Sequence, residues 1–244
     1  MDRTRSNYLL FPMGCLLIIS GVFLFLHGFL LTRSELNTVA ATTPDAVNPP
    51  EFNRFVLLLV DGLFFGLLPN SSQQPTQNDR MPYLTRLLHR SHQTAVPTLQ
   101  LYHFMADPPT TTLQRLKALV TGSMPTFIDA GSNFGGTELQ EDNLVKQWSR
   151  AGQKICFVGD QVWTELMPTG FNESFPLPSF NIKDLDTVDR AVREYFVKQL
   201  STFNSSECSI LIGHMLGVDH CGHTYGRQHP EMDRKLQELD DLLR

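Results

Sequence analysis

SILIGHMLGVDHCGHTYG, residues 209–226, decides the fold. It opens on an apolar run, Ile210 to Met215, with no polar alternation and too short for a helix of ordinary length. A strand covered on both faces in a parallel sheet has that pattern. Directly after it, Asp219 and His223 stand four residues apart, so one turn of helix would aim both the same way.

Two further stretches have the same character: FVLLLVDG (55–62) and KICFVGD (154–160). Each is a continuous apolar run that ends in an aspartate beside a glycine. Helical patterns lie between these runs. Pro82 opens one, with Leu84, Leu87 and Leu88 at helical spacing. Leu113, Leu116, Leu119 and Val120 form a second stripe, stopped by Gly122. Residues 143–150, 189–200 and 230–243 read as three more. Strands alternating with helices predict an α/β domain, a mostly parallel sheet with helices on both faces.

The chain has 244 residues and a net charge of -5, with no basic cluster. One substantial core is within reach of that length, and nucleic acid is excluded as a partner. Apolar residues concentrate between Leu9 and Leu31, a stretch without Lys, Arg, Asp or Glu and long enough to cross a bilayer. Arg3 and Arg5 before it, against Arg33 and Glu35 behind, place the N-terminus in the cytoplasm. A cleaved signal peptide is the competing reading, but LFLHGFLLTRSE (24–35) offers no small-x-small cleavage site. The expected organisation is a cytoplasmic N-terminus (1–8), a membrane anchor (9–31), a linker ending at Pro49-Pro50 (32–53) and a lumenal domain (54–244). Sequons at Asn70, Asn172 and Asn204 agree with a lumenal, glycosylated domain. Cys156, Cys208 and Cys221 lie outside the anchor, which permits one disulfide and leaves one cysteine over.

In an open α/β sheet, ligands bind beyond the carboxyl ends of the strands. Asp61, Asp160 and the segment after Met215 all project to that edge if the strands are parallel. Asp61-Gly62 is also an ordinary strand-ending turn. Asp219 and His223 offer an oxygen and a nitrogen suited to Zn2+, although a histidine-rich loop can simply be solvated. His214 reads as a hydrogen-bonded core histidine or as one that supports the ligands from behind, and His229 as the residue that starts the helix at Pro230. Thr110, Thr111 and Thr112 precede a helix. There a hydroxyl can cap the free N–H groups, or face an anion as a nucleophile activated by a cation. Residue chemistry leaves these two open.

Together these residues resemble the alkaline phosphatase superfamily, in its phosphodiesterase and phosphotransferase branch. The shared features are VDG after a buried strand, a Thr opening a helix that closes on TG, and D-x-x-x-H before a Tyr-Gly turn. ADPPTTTLQRLKALVTGSMPTFID (106–129), SNFGG (132–136), FPLPSFNIKDLDTVD (175–189) and GHMLGVDHCGHTYG (213–226) are similar to the GPI ethanolamine phosphate transferases. That resemblance covers nearly all of residues 54–243.

It implies an alkaline-phosphatase-like domain with two Zn2+ ions, Mn2+ being an alternative occupant, and a phosphorylated threonine. Related phosphodiesterases carry the nucleophile nine residues before the Thr of the closing TG, and counting back from Thr121 gives Thr112. Asp61 and Thr112 would bind one metal, and Asp219 and His223 the other. Asn133 would contact the transferred phosphate. Asp160 and Trp163, in GDQVW, fall in a segment near the site with no defined role. The implied donor is phosphatidylethanolamine, the acceptor a hydroxyl on the third mannose of the GPI-anchor precursor, and the place the endoplasmic reticulum membrane. A small multi-span stabilising subunit (PIG-F) is the implied partner.

One departure stands out. The family's further ligands include an Asp-His pair in a D-H-G motif and another His beyond it, and neither follows His229 here. Nor does the family's multi-span membrane region. The chain is therefore expected to be an incomplete fragment or isoform that alone binds metal weakly and transfers nothing. A metal-dependent phosphodiesterase that uses water, or a non-catalytic truncated product, are the competing functions.

Overall fold

The computed structural model describes residues 3–29, 38–40, 52, 54–69, 79–94, 98–124, 138–201 and 208–244. Asn133 and the sequons at Asn70 and Asn204 lie outside the described residues, as does most of the 32–53 segment.

Helix α1 (Arg3–Phe29) contains the apolar stretch as far as Phe29. Within it, Leu10–Gly28 is strongly apolar, and none of it is buried against the described residues. By length and composition it can cross a membrane.

The remaining elements are β1 (Phe55–Val60), α2 (Pro82–His92), α3 (Thr112–Thr121) and α4 (Leu144–Arg150). They continue with β2 (Ile155–Asp160), α5 (Val162–Leu166), β3 (Glu173–Leu177) and α6 (Thr187–Ser201). Last come β4 (Ile210–Met215), α7 (Gly217–Thr224) and α8 (Pro230–Leu243).

The four strands form one sheet in the order β1-β4-β2-β3, and every pairing is parallel. All strand C-termini therefore meet at one edge. Each strand's alternation sends one set of side chains to either face. Cys156, Val158, Leu211 and Met215 pack with residues of α2, α6, α7 and α8. Ile155, Phe157, Ile210 and Ile212 pack with residues of α3, α4 and α5 on the opposite face. Phe157, Trp163, Ile212 and Leu236 are all wholly buried. Each contributes about 1.5–3 kcal/mol from removing its apolar surface from water. Helices on both faces of a parallel sheet are as expected.

Two elements differ from the sequence expectation. Strand β1 is an edge strand and only half-buried, with Phe55 and Val56 exposed, whereas its apolar run predicts full burial. Strand β3 was not expected. It carries Glu173 and Pro176, is almost wholly exposed, and occupies the other edge, where proline costs no ladder bond.

A disulfide joins Cys156 of β2 to Cys208, just ahead of β4, leaving Cys221 buried and free. Asn172 is exposed and its Oδ1 accepts the Ile155 N–H at 2.8 Å.

Candidate active site

Asp61 follows β1 directly and is held there by its own backbone. Its N–H donates to the Met215 carbonyl at 3.0 Å, extending the β1–β4 ladder by one bond. The chain then turns at Gly62, which has φ 66°. A Cβ on Gly62 would lie 2.8 Å from the Asp219 Cα and 2.9 Å from its Oδ1. Only glycine lets the β1 turn approach α7 this closely, and that approach puts Asp61 beside Asp219.

Thr112 comes from the far side of the sheet edge. It is the first residue of α3, and its Oγ1 donates to Asp61 Oδ2 at 2.8 Å. Thr111 holds the N-cap position, but its side chain makes no capping bond. Thr110 is exposed and in no helix. Of the three threonines left open by residue chemistry, Thr112 is therefore the one that touches Asp61. At the other end, α3 stops at Gly122 in the left-handed conformation, whose N–H reaches the Ala118 carbonyl at 2.9 Å.

Asp219 and His223 share one turn of α7, with His223 Nε2 3.4 Å from Asp219 Oδ1. Helix α7 begins on a buried network. Asp189 Oδ1 accepts the N–H groups of Leu216 and Gly217 at 2.9 and 3.0 Å. Its Oδ2 pairs with the fully buried Lys235 at 2.8 Å. Gly217 is required there, because a Cβ would lie 2.3 Å from Asp189 Oδ2 and from Lys235 Cε.

The two carboxylates are in contrasting states. Burial works to raise the Asp61 carboxyl, but His214, the Thr112 hydroxyl and the Gly62 N–H outweigh it, so its pKa lies below the usual value. Burial and then the Asp61 charge raise Asp219 above its usual value, against the opposing pull of His223, His220 and His214. Two carboxylates held together with no lysine or arginine partner among the described residues form an anionic site. A divalent cation would relieve that repulsion, and the oxygen- and nitrogen-donor set present suits Zn2+ or Mn2+. Asp61, Asp219 and His223 do not bring their ligand atoms all within 4.8 Å of one another; among the described residues the one group that does is Cys156, Glu173 and Cys208. Its two sulfurs form the disulfide, so it holds no metal in this state.

Two neighbouring histidines are engaged elsewhere, and a third stands behind the site. The His220 ring points away from the site, Nδ1 to the Asp184 carbonyl at 2.8 Å and Nε2 to the Ser179 carbonyl at 3.0 Å. His229 caps α8, accepting the Glu231 N–H, and stacks on Tyr225. His214 is fully buried in β4, and its Nε2 points toward Asp61 Oδ2 at 3.6 Å. Its place beside the site, one of the two readings of this residue, comes from the position of β4 between β1 and β2. Asp160, at the end of β2, caps α5 by accepting the Val162 N–H at 2.9 Å.

No family model matches the chain. Over 98% of its length it is 43% identical to the human GPI ethanolamine phosphate transferase 3, catalytic subunit, covering 24% of that protein. It is 43% identical to the Saccharomyces cerevisiae GPI ethanolamine phosphate transferase 3 over 90% of this chain and 22% of that one. To the human GPI ethanolamine phosphate transferase 2, catalytic subunit, it is 34% identical over 89% of this chain and 21% of that protein. The chain thus spans about a quarter of the length of the curated relatives it matches. A solved structure, murine ectonucleotide pyrophosphatase/phosphodiesterase 5, superposes with a TM-score of 0.46 and 14% identity over 78% of this chain and 50% of that one.

Proposed function

We infer that the chain belongs to the GPI ethanolamine phosphate transferases, as the region that carries the nucleophile of such an enzyme, with Thr112 as that nucleophile. The observation that carries this reading is the 2.8 Å hydrogen bond from Thr112 Oγ1 to Asp61 Oδ2 at the carboxyl edge of a parallel sheet. The similarity to named transferases over nearly the whole chain supports it.

Asp61 with Thr112, and Asp219 with His223, would each help to hold one divalent cation. When bound, such a pair withdraws charge from the phosphoryl oxygens and lowers the pKa of the threonine hydroxyl. Asp61 keeps the Thr112 side chain in one rotamer, with its oxygen at the start of α3, where the helix favours an anion. Thr112 Oγ1 bonds to the phosphorus of phosphatidylethanolamine as the bond from phosphorus to the glycerol oxygen breaks. The proton released by Thr112 ends on the diacylglycerol hydroxyl, and ethanolamine phosphate stays on the threonine. A hydroxyl on the third mannose of the GPI precursor then displaces Thr112, which recovers its proton from that hydroxyl. Asn133 would contact the transferred phosphate.

In this reading, residues 9–31 anchor the chain in the endoplasmic reticulum membrane and 32–53 link the anchor to a glycosylated lumenal domain, 54–244. A small multi-span subunit is its membrane partner. The test is transfer from phosphatidylethanolamine vesicles to a mannosylated GPI acceptor by membranes carrying a full-length transferase that contains this region. Thr112→Ala is expected to abolish transfer, and Thr111→Ala to leave most of it. Transfer retained by Thr112→Ala would overturn the assignment.

A further inference from the structure

Two fully buried polar side chains near the site have no part in the chemistry above. Trp163, on α5, donates its Nε1–H to His214 Nδ1 at 3.1 Å, and neither residue is exposed to solvent. A ring nitrogen that accepts carries no proton, so the His214 proton sits on Nε2. That Nε2 is buried and has no hydrogen-bond partner among the described residues, an arrangement native structures rarely tolerate. It lies 3.6 Å from Asp61 Oδ2, the oxygen that also accepts the Thr112 hydroxyl. The separation exceeds a normal hydrogen bond, and such contacts often tighten only when a site is loaded.

Each link is in turn held from behind. Asp160 Oδ1 caps α5, the helix that carries Trp163. Phe157 and Phe171 pack around the indole at ring-centroid distances of 5.6 and 6.4 Å. His214 is fixed in β4 between β1 and β2, paired with Leu59 and Gly159.

We propose that Trp163 and His214 form a buried positioning pair: Trp163 selects the His214 tautomer, and His214 presents its Nε2–H to Asp61 so that the carboxylate faces Thr112. The proposal rests on the reading of Asp61 and Thr112 as site residues. Neither member touches substrate. Without the indole N–H, the ring would be free to place its proton on Nδ1 and turn a lone pair toward the Asp61 carboxylate. That lone pair would repel the residue that orients the nucleophile.

Trp163→Phe keeps the aromatic packing and removes only the N–H. In the protein carrying it, long-range proton–nitrogen correlation of the His214 ring should show loss of the single Nε2–H form seen in the parent. Transfer by a full-length transferase carrying the substitution should fall roughly 10-fold in kcat, with KM little changed, as for other supporting partners of ligand residues. At position 214, a Gln amide nitrogen reaches the Nε2 position, whereas that of Asn reaches only Nδ1. His214→Gln should therefore retain more activity than His214→Asn at equal melting temperature. An unchanged ring spectrum and kcat in Trp163→Phe would overturn the proposal, as would equal losses in the Gln and Asn variants or losses that merely follow melting temperature. Thr112→Ala separates the two readings: it should leave the His214 spectrum as in the parent, whether or not transfer survives.

Discussion

Asp61 and Asp219 lie across one glycine from each other and are expected to answer the same substitution with opposite signs. The folded-state pKa of Asp61 is lowered, so its ionised form stabilises the fold at neutral pH, and that contribution is lost as pH falls through the lowered value. Asp61→Asn should cost roughly 1–2 kcal/mol in denaturant unfolding, the worth of its charge-assisted bonds. The folded-state pKa of Asp219 is raised, so the native state binds its proton more readily than the unfolded chain does, and stability declines as pH rises through that raised value. Asp219→Asn without metal should therefore be neutral, or stabilising by about 0.5–1 kcal/mol, as at functional positions that store strain. Added Zn2+ should raise the melting temperature of the parent more at neutral pH than below the Asp219 titration, and should lose that effect in Asp219→Asn. A large loss of stability in metal-free Asp219→Asn would contradict this picture. Much at this scale was legible in advance, since the i, i+4 pair on α7 and the Asp after β1 are local patterns. Residue chemistry alone left Thr110, Thr111 and Thr112 open, and only the family resemblance pointed to Thr112. Three adjacent hydroxyls differ only in what lies 51 residues away, and the contact to Asp61 distinguishes them.

At the scale of elements, α7 matters most, because it carries Asp219 and His223 yet spans only Gly217–Thr224. A helix this short is marginal by itself. Its start is held by Asp189 of α6 and Lys235 of α8, which meet in a fully buried pair. Asp189→Ala leaves two backbone N–H groups without their acceptor and removes the buried partner of Lys235, which keeps Glu238 at 2.8 Å and Asp186 at 3.3 Å, and should cost about 1–3 kcal/mol in chemical denaturation. Gly217→Ala has no room for its methyl and should cost about 1–3 kcal/mol. If both variants melt like the parent, the network does not hold α7. These supports could not be read along the chain, because Asp189, Gly217 and Lys235 belong to three separate elements. Strand β3 escaped notice for a related reason. ESFPL lacks an apolar run and contains a proline, and only its pairing with β2 makes it a strand. The β1 run misled in the opposite sense. FVLLLV is as apolar as the central strands, and composition does not tell an edge strand from a buried one.

The whole molecule is an apolar helix followed by a parallel sheet whose C-terminal edge gathers Asp61, Thr112, Asp219 and His223. Its alternating order of strands and helices was legible, because three apolar runs and five helical patterns imply little else. The sheet order β1-β4-β2-β3 was not, and that order is what puts His214 behind Asp61. The Cys156–Cys208 disulfide ties the two central strands across a sequence separation of 52. Replacing both cysteines by alanine should lower stability by about 2–4 kcal/mol through the unfolded chain, without touching the site. Equal denaturation midpoints with and without reductant would contradict that. The central claim is that Thr112 takes up the ethanolamine phosphate group, and mass spectrometry of a full-length transferase containing this region, quenched after exposure to the donor, tests it most directly. After incubation with phosphatidylethanolamine and no acceptor, the peptide containing Thr112 should carry ethanolamine phosphate on that residue and lose it once the mannosylated acceptor is added. An unmodified Thr112 peptide under active transfer, or the adduct on another residue, would contradict the account.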